Sequence, residues 1–550
     1  MGESEKTQPG SAQKPPPHSL SPTPVPWASA SELARRIARG ELSSVEVVEA
    51  HIRRIEEVNP QLNAVVVPLY EQARMAAKEA DRARMRHQLL GPLHGVPITV
   101  KECYHVAGTA SSIGVDRFRE EILHEDGPLV RRLRRAGAII LGKTNVPQAM
   151  LLHETDNPIY GRTNNPWDLS RSPGGSSGGE AAIIATGGSP LGLANDLGGS
   201  IRQPAHVCGI CGIKPTAGRH TNRGCRNNLS GLKLIATQSG AMARHSADLW
   251  LALQVLNIRG ADEPRLDDEI DQPLGNPQSI DVAKLRIGIF DDDGFFRASP
   301  AIRRAVHEAG TALRSAGADV VEFRPPDVHA AMSLYFALIG ADGARALGQV
   351  LDGNRIDWRI ARLMRIARVD QPWRALLAGI ASIGRQPRTS LLLRSTGFKT
   401  AEQMSRLAGD VAAYADQFAS AMDAGQIDAL VFPPHSLVAP PHGSTFDLPP
   451  AASYCFVANL LGIPAGCVPV TRVRPGEETD RRAGLDQVER AAHRVELGSA
   501  GLPVGVQVAA RHWREDLVLA VMETLEAAFR GRADYPNRPE PVDRRVLSNG

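Results

Sequence analysis

Residues 172–204 read SPGGSSGGEAAIIATGGSPLGLANDLGGSIRQP. Two serines, Ser176 and Ser177, stand between glycine pairs, and a second Gly-Gly-Ser closes at Ser200. Glycine loses more conformational freedom on folding than any other residue, so clusters of it answer a backbone demand: a tight turn, a close approach of main chain to a ligand, or a linker without structure. A linker does not fit here. The intervening AAIIATGGSPLGLAND is apolar and continues into IRQPAHVCGICGIKP, which reads as buried strand. Gly-Ser loops enclosed by apolar sequence are expected where backbone N–H groups and hydroxyls face a substrate.

The pattern extends outward on both sides. GVPITVKE reads as a buried strand ending at Lys101, GPLVRRLRRAG as helix, AIIL as strand, GGEAAIIATG as helix, and LGLAN and CGICGIK as strands. Further strands are expected at LRIGIF, ADVVEF, DALVF, GCVPV and LPVGVQV, with helices between several of them. Near the start, Ser29 with Glu32 and Ser43 with Glu46 have capping-box spacing, and EQARMAAKEADRARM reads as a third helix. Wholly apolar strands separated by helices predict an α/β fold: one large domain with a mixed, mostly parallel central sheet covered by helices on both faces. No repeat or linker divides the chain after residue 27. The expected organisation is a Pro/Ser-rich disordered tail at 1–26, one domain over 27–535, and a polar tail at 536–550.

The balance of the 550 residues narrows the partners. Hydrophobic residues make up 42% and charged residues 22%, the formal net charge is +3, and aromatics are 5%. Neither the charge nor the aromatic content points to a nucleic acid. Six cysteines (Cys103, Cys208, Cys211, Cys225, Cys455, Cys467) show no disulfide-framework spacing, and no signal-peptide h-region or apolar run of about 18 residues occurs. A reduced, cytoplasmic setting is expected.

Three motifs are declined. GAIILGKT, residues 137–144, fits the phosphate-loop pattern, but a phosphate cradle needs a polar loop after its strand, and AIIL is itself the strand. Cys208 and Cys211 lack a second pair at zinc spacing and have apolar neighbours, so packed core thiols are expected. His435 in PPHSL and His442 in HGSTF are expected to be solvated loop histidines.

The fourth constellation is kept. Hydrolysing an amide needs a nucleophile, a proton acceptor and donors for the developing oxyanion. A lysine at the end of an apolar strand is costly to bury charged, and burial lowers its pKa toward that of a usable base. Lys101, GGSSGG and DLGGSIR, in this order and spacing, resemble the amidase signature family, serine hydrolases with a Ser–cis-Ser–Lys triad. The likeness runs from the N-terminal helices to GLPVGVQ at 501–507, and is closer to the fatty-acid amide hydrolases through VKECY, TNVPQAML, NNPWDLSRSPGGSSGGE (with Glu180), CGICGIKPT and VPVT.

The resemblance implies Ser200 as nucleophile, Ser176 as proton relay after a cis Gly175–Ser176 peptide, and Lys101 as a neutral base. It implies an oxyanion hole from the N–H groups of Leu197, Gly198, Gly199 and Ser200, support from Ser177, Asp196 and Arg202, and an acyl-side wall at Met150 and Leu151. No cofactor or metal follows from it. The catalytic core would span about 90–255 and a cap about 330–420. The family's Gly-Thr before the aspartate is Ala194-Asn195 here, and adjusted support for the serines is expected, since Asn both donates and accepts. Within the cap region, residues 371–395 interleave Trp373, Leu376, Leu377, Ile380 and Ile383 with Arg374, Arg385, Arg388 and Arg394, which suits an interfacial helix on anionic lipid. The implied partner is a small-molecule amide, with a homodimer left open. Two alternatives stand beside it: the amidase subunit of a tRNA-dependent amidotransferase, and a non-catalytic binding protein on the same scaffold. The loop PGEETDRRAGLDQVER and the lack of a basic face count against the first, and the intact Lys101, Ser176 and Ser200 against the second.

Overall fold

The computed structural model describes residues 23–227, 234–260, 263, 264, 266–482 and 484–539. Most of the segment expected as a tail at 1–26, and the end of the polar tail at 536–550, lie outside these residues. Within the described part, order begins slightly earlier than expected, with a 3-10 turn at Val25–Trp27.

Eleven strands form one sheet: β1 (Val65–Pro68), β2 (Pro97–Lys101), β3 (Ile139–Thr144), β4 (Leu191–Asp196), β5 (Cys211–Lys214), β6 (Gln238–Ala243), β7 (Arg286–Ile289), β8 (Asp319–Glu322), β9 (Ala429–Phe432), β10 (Ala465–Arg472) and β11 (Pro503–Ala510). Their spatial order is β1-β3-β2-β4-β6-β5-β10-β11-β9-β7-β8. The sheet is mixed, but its balance differs from the expected parallel majority. Only β2–β3, β2–β4, β9–β7 and β7–β8 are parallel, and the centre from β4 through β11 is antiparallel. Apolar runs report burial on both faces and say nothing about strand direction. β1, VVVP, carries a β-branched strand signal that the expected strands did not include, whereas β6 carries none of its own. β6 is QSGAMA, small residues of low strand propensity that are ordered by pairing with β4 and β5 on either side.

Helices form where the caps allow. Ser43 and Glu46 close a complete capping box on Ser44–Leu62, while Ser29 caps Ala30–Ala38 through Glu32 N. IRQPAHVC is helical over Arg202–Cys208, not strand; every residue of the helix is buried, the polar Arg202, Gln203 and His206 included, and Pro204 is tolerated because it sits in the first turn. Between β8 and β9 the chain inserts six helices, from Val328–Ile339 to Ala401–Ala424.

Register then positions the chemistry. In the parallel pair β2–β4, Thr99 faces Gly192 and Val100 faces Leu193. The last residue of β2, Lys101, thus arrives beside Asn195 and Asp196 at the end of β4. The carboxyl ends of parallel strands are where open α/β sheets leave a crevice for ligands.

Candidate active site

Lys101 is fully buried, with Nζ 2.8 Å from Ser176 Oγ in hydrogen-bond contact and 2.7 Å from Asn195 Oδ1, to which it donates. Burial lowers its pKa, opposed in part by the nearby thiols of Cys103 and Cys225 and the carboxylates of Asp196 and Glu180. Ser176 follows a cis peptide with Gly175. The loop that carries it turns directly into helix Gly178–Ala185, and Gly179 is required there: a Cβ would lie 2.5 Å from Asn145 N. Ser177 N donates to Ser200 O at 3.2 Å, which ties the two serine loops together.

The Ser200 hydroxyl makes no hydrogen bond among the described residues and opens onto a cavity of about 240 Å³. Below it, Asp196 organises the second loop. Its carboxylate accepts from Gly199 N (2.7 Å), Ile201 N (3.0 Å), Asn459 Nδ2 (3.0 Å) and, bidentately, Arg202 Nε and Nη2. Both partners are fully buried; burial alone would raise the Asp196 carboxyl, and the Arg202 guanidinium holds it well below the usual range. Such a pair stands only when its remaining donors are satisfied, and Arg202 reaches Cys455 O and Gln507 Oε1 as well.

This arrangement corrects one assignment. The Gly199 N–H, expected among the oxyanion donors, is taken up by Asp196. Leu197, Gly198 and Ser200 keep N–H groups without an acceptor among the described residues. Gly199 matters through its conformation instead: its φ is +97°, and a Cβ would sit 2.6 Å from Cys455 Sγ.

Asn195 also departs from expectation in detail. Its main-chain oxygen accepts from Ser177 Oγ at 3.4 Å, but its side chain supports Lys101, with Nδ2 facing the sulfurs of Cys225 (3.2 Å) and Cys103 (3.5 Å).

Met150 and Leu151 line the cavity, presented by a backbone kink in which Ala149 and Met150 have φ of 53° and 56°. Consecutive non-glycine residues in that region are strained, and such strain clusters at ligand sites. The rest of the wall comes from far away in sequence: Tyr335, Phe336, Leu363, Leu392, His435 and Phe456. Tyr335 stacks on Phe456 with centroids 4.1 Å apart and donates to Leu197 O at 3.3 Å. His153, which no motif marks, places Nε2 2.9 Å from Gly198 O; burial lowers its pKa to about 4, so the ring is neutral and Nε2 carries the proton.

The two loop histidines are not solvated. His435 is buried edge-on to His153, 5.7 Å between centroids, and the largely buried His442 lies 3.8 Å from Glu154. Their loops fold over the site, so the local polarity that reads as exposed serves the interior. The declined motifs behave otherwise: Lys143 of GAIILGKT is buried in β3 and donates to Ala110 O, Thr109 Oγ1 and Ser111 Oγ, and Cys208 and Cys211 are buried free thiols.

Glu180, in the first turn of Gly178–Ala185, accepts from Thr99 Oγ1 and from Thr144 Oγ1 (2.7 Å), and burial raises its pKa from 4.5 to about 7. A carboxyl whose folded pKa is raised favours folding fully below its unfolded value, and that contribution is lost as pH rises through about 7. Glu180→Gln, a neutral mimic of the acid form, is therefore expected to stabilise the protein by about 1–3 kcal/mol at pH 8 and hardly at all at pH 5. Denaturant midpoints at the two pH values check this, and equal shifts at both would refute it.

An α/β enzyme that cleaves amide bonds is the class this fold and this pair of serine loops define. A family model described as Amidase matches residues 46–519. "Fatty acid amide hydrolase 1" of Caenorhabditis elegans is 33% identical over 511 residues, covering 91% of this chain and 88% of that protein. "Fatty-acid amide hydrolase 1" of Sus scrofa is 34% identical over 505 residues, covering 90% and 84%. A solved structure titled "Fatty acid amide hydrolase" matches with a TM-score of 0.80 at 26% identity, covering 92% of this chain and 85% of its own. The chain belongs to the amidase family and is an amide hydrolase.

Proposed function

We propose that the protein hydrolyses lipophilic carboxylic amides, fatty acyl or aryl, through an acyl-enzyme on Ser200. The observation that carries this reading is a Ser200 hydroxyl without a hydrogen-bond partner among the described residues, opening onto an apolar cavity, with a buried Lys101–Ser176 hydrogen bond behind it. A neutral amine has two N–H groups and one lone pair. With the N–H groups directed at Asn195 Oδ1 and, more weakly, Asn195 O at 3.5 Å, the lone pair is left for the Ser176 hydroxyl. Ser176 then takes the Ser200 proton as it gives its own to Lys101, and Ser200 Oγ attacks the amide carbon. The oxyanion is held by the N–H groups of Leu197, Gly198 and Ser200. Collapse returns the proton through Ser176 to the leaving amine, and water repeats the sequence on the acyl-enzyme. Asp196, Arg202 and Ser177 hold the loops.

The apolar substrate is expected to reach the site from a membrane surface. No helix among the described residues is long and apolar enough to cross a membrane. Helix Gln371–Ile383 nevertheless leaves Trp373, Leu376, Leu377, Ile380 and Ile383 exposed, and Leu392 of the following helix lines the cavity. The expected basic face is smaller than the sequence implies. Arg374 is buried against Thr396 O, Ala367 O and Val369 O, and Arg388 pairs with Asp486 and Glu489, which leaves Arg385 and Arg394 exposed. Apolar area would therefore drive membrane contact more than charge does.

One set of rates tests both parts: hydrolysis of amides from acetyl to twenty-carbon acyl, with anilides, in the absence of any partner protein and with and without vesicles. A buried methylene is worth about 0.8 kcal/mol, so two added methylenes are expected to raise kcat/KM roughly tenfold until the cavity is full. A profile flat with chain length would sink the lipophilic reading. Leu376→Glu with Ile380→Glu is expected to abolish vesicle flotation and slow long-chain turnover only. If this face instead pairs two copies, the protein elutes as a dimer and the vesicles change nothing.

A further inference from the structure

We propose that Cys103 and Cys225 form a peroxide-sensitive dithiol site that switches off the amidase by displacing Asn195 from Lys101. The two residues are 122 positions apart, and their sulfurs lie 3.4 Å from each other. The juxtaposition is built into the backbone: Tyr104 and Cys225 form an isolated antiparallel bridge, Arg226 N donates to Cys103 O at 2.8 Å, and His105 N donates to Gly224 O at 2.8 Å. Both sulfurs face the amide nitrogen of Asn195, whose oxygen holds Lys101. The site thus sits one side chain away from the base assigned above, and the proposal rests on that assignment.

The two thiols are unequal. Cys225 is the one cysteine of the six that is not buried. The Cys103 contact holds the Cys225 thiol below its usual value, with Lys101, Asn195 and Lys143 adding to the effect, whereas burial pushes Cys103 up. A partly buried thiol with a lowered pKa beside a second thiol is the arrangement of an oxidisable pair. The Cys225 thiolate attacks hydrogen peroxide, breaking the O–O bond to give a sulfenic acid and, after protonation, one water. The Cys103 thiol then attacks that sulfur, the S–S bond forms, and the hydroxyl leaves as the second water. Two thiols and one peroxide become one disulfide and two waters.

Closing the bond draws the sulfurs from 3.4 Å to about 2.05 Å, away from the positions in which they now meet the Asn195 amide. Asn195 then loses the contacts that fix its orientation, and Lys101 loses its acceptor.

The test treats the whole protein with hydrogen peroxide and follows amide turnover and the peptide map together. The expected result is a Cys103–Cys225 disulfide peptide that accumulates in step with an activity loss of at least tenfold, both reversed by dithiothreitol. Cys225→Ser is expected to keep its own untreated rate after the same exposure, and Cys103→Ser to give a dimedone adduct at residue 225. If no Cys103–Cys225 peptide forms, the site is wrong. If the peptide forms while turnover is unchanged, the coupling to Lys101 is wrong. Failure of Lys101 as the base would appear separately, in the unoxidised protein, as the pH behaviour described in the Discussion.

Discussion

Ser200→Ala is expected to fold and bind amides, with kcat reduced by about 10⁴–10⁶-fold. The stability half of this follows from geometry. The Ser200 hydroxyl has no hydrogen-bond partner among the described residues, the residue is 8% exposed, and the alanine would remove one oxygen from a cavity wall. Melting should therefore stay within about 1 kcal/mol of the parent. The activity half follows from what surrounds the position. Ser176 is hydrogen-bonded to Lys101, and Ser177 points its hydroxyl at Asn195 O, so neither is free to serve as nucleophile without dismantling the site. Whatever residual rate survives would come from the unfilled N–H groups of Leu197, Gly198 and residue 200, which still polarise a bound carbonyl. A fluorophosphonate probe and mass spectrometry decide the matter. The parent should carry the label on the peptide containing Ser200, and the alanine variant should carry none. A covalent acyl adduct on any other residue of the parent, or turnover by the variant within about a hundredfold, would overturn the assignment.

The residues most legible in the sequence are those whose work is done by the main chain. Gly175 and Gly179 are there because backbone comes too close for a side chain, and Gly198 and Gly199 because Tyr335, Phe456 and Cys455 do; such demands leave glycines in a row. Lys101 is legible for a different reason, as a charge at the end of an apolar strand. The cavity wall is invisible at that level. His153, Tyr335 and Phe456 are ordinary residues on separate elements, and their convergence on Leu197 and Gly198 is created by the insertion between β8 and β9 and by the packing of Ser453–Leu460 against it. Sheet direction was equally hidden, because β6 has no propensity signal and takes its form from two neighbours. Arg374 shows the limit from the charged side: a helical pattern cannot say that one arginine of a basic stretch turns inward to satisfy three carbonyls. Nor does any local pattern connect Cys103 to Cys225, which the backbone pairing around Tyr104 and Cys225 brings together.

Lys101 carries the second large effect, and its sign can be worked out. Only the neutral amine can accept a proton, and burial lowers its pKa from 10.5. Below that lowered pKa the lysine is protonated and the enzyme idle, so kcat/KM should rise with pH through an apparent value below 10.5 and then level off. Replacing the lysine removes the limb altogether. Lys101→Ala is expected to lose about 10²–10⁴-fold at neutral pH, with the deficit shrinking at high pH as hydroxide takes over the proton. Alanine also leaves a void among fully buried neighbours, and a void alone can lower activity by loosening the site. Lys101→Met separates the two causes, since it keeps the length of the side chain and removes only the amine. If both variants lose the pH-dependent limb while the methionine protein melts near the parent, the amine is the base. Asn195→Ala, which removes the acceptor at 2.7 Å, should then shift the limb without abolishing it. A lysine with a merely structural role predicts the opposite: the methionine variant would recover the parent's rate at neutral pH, and its pH profile would overlay that of the parent.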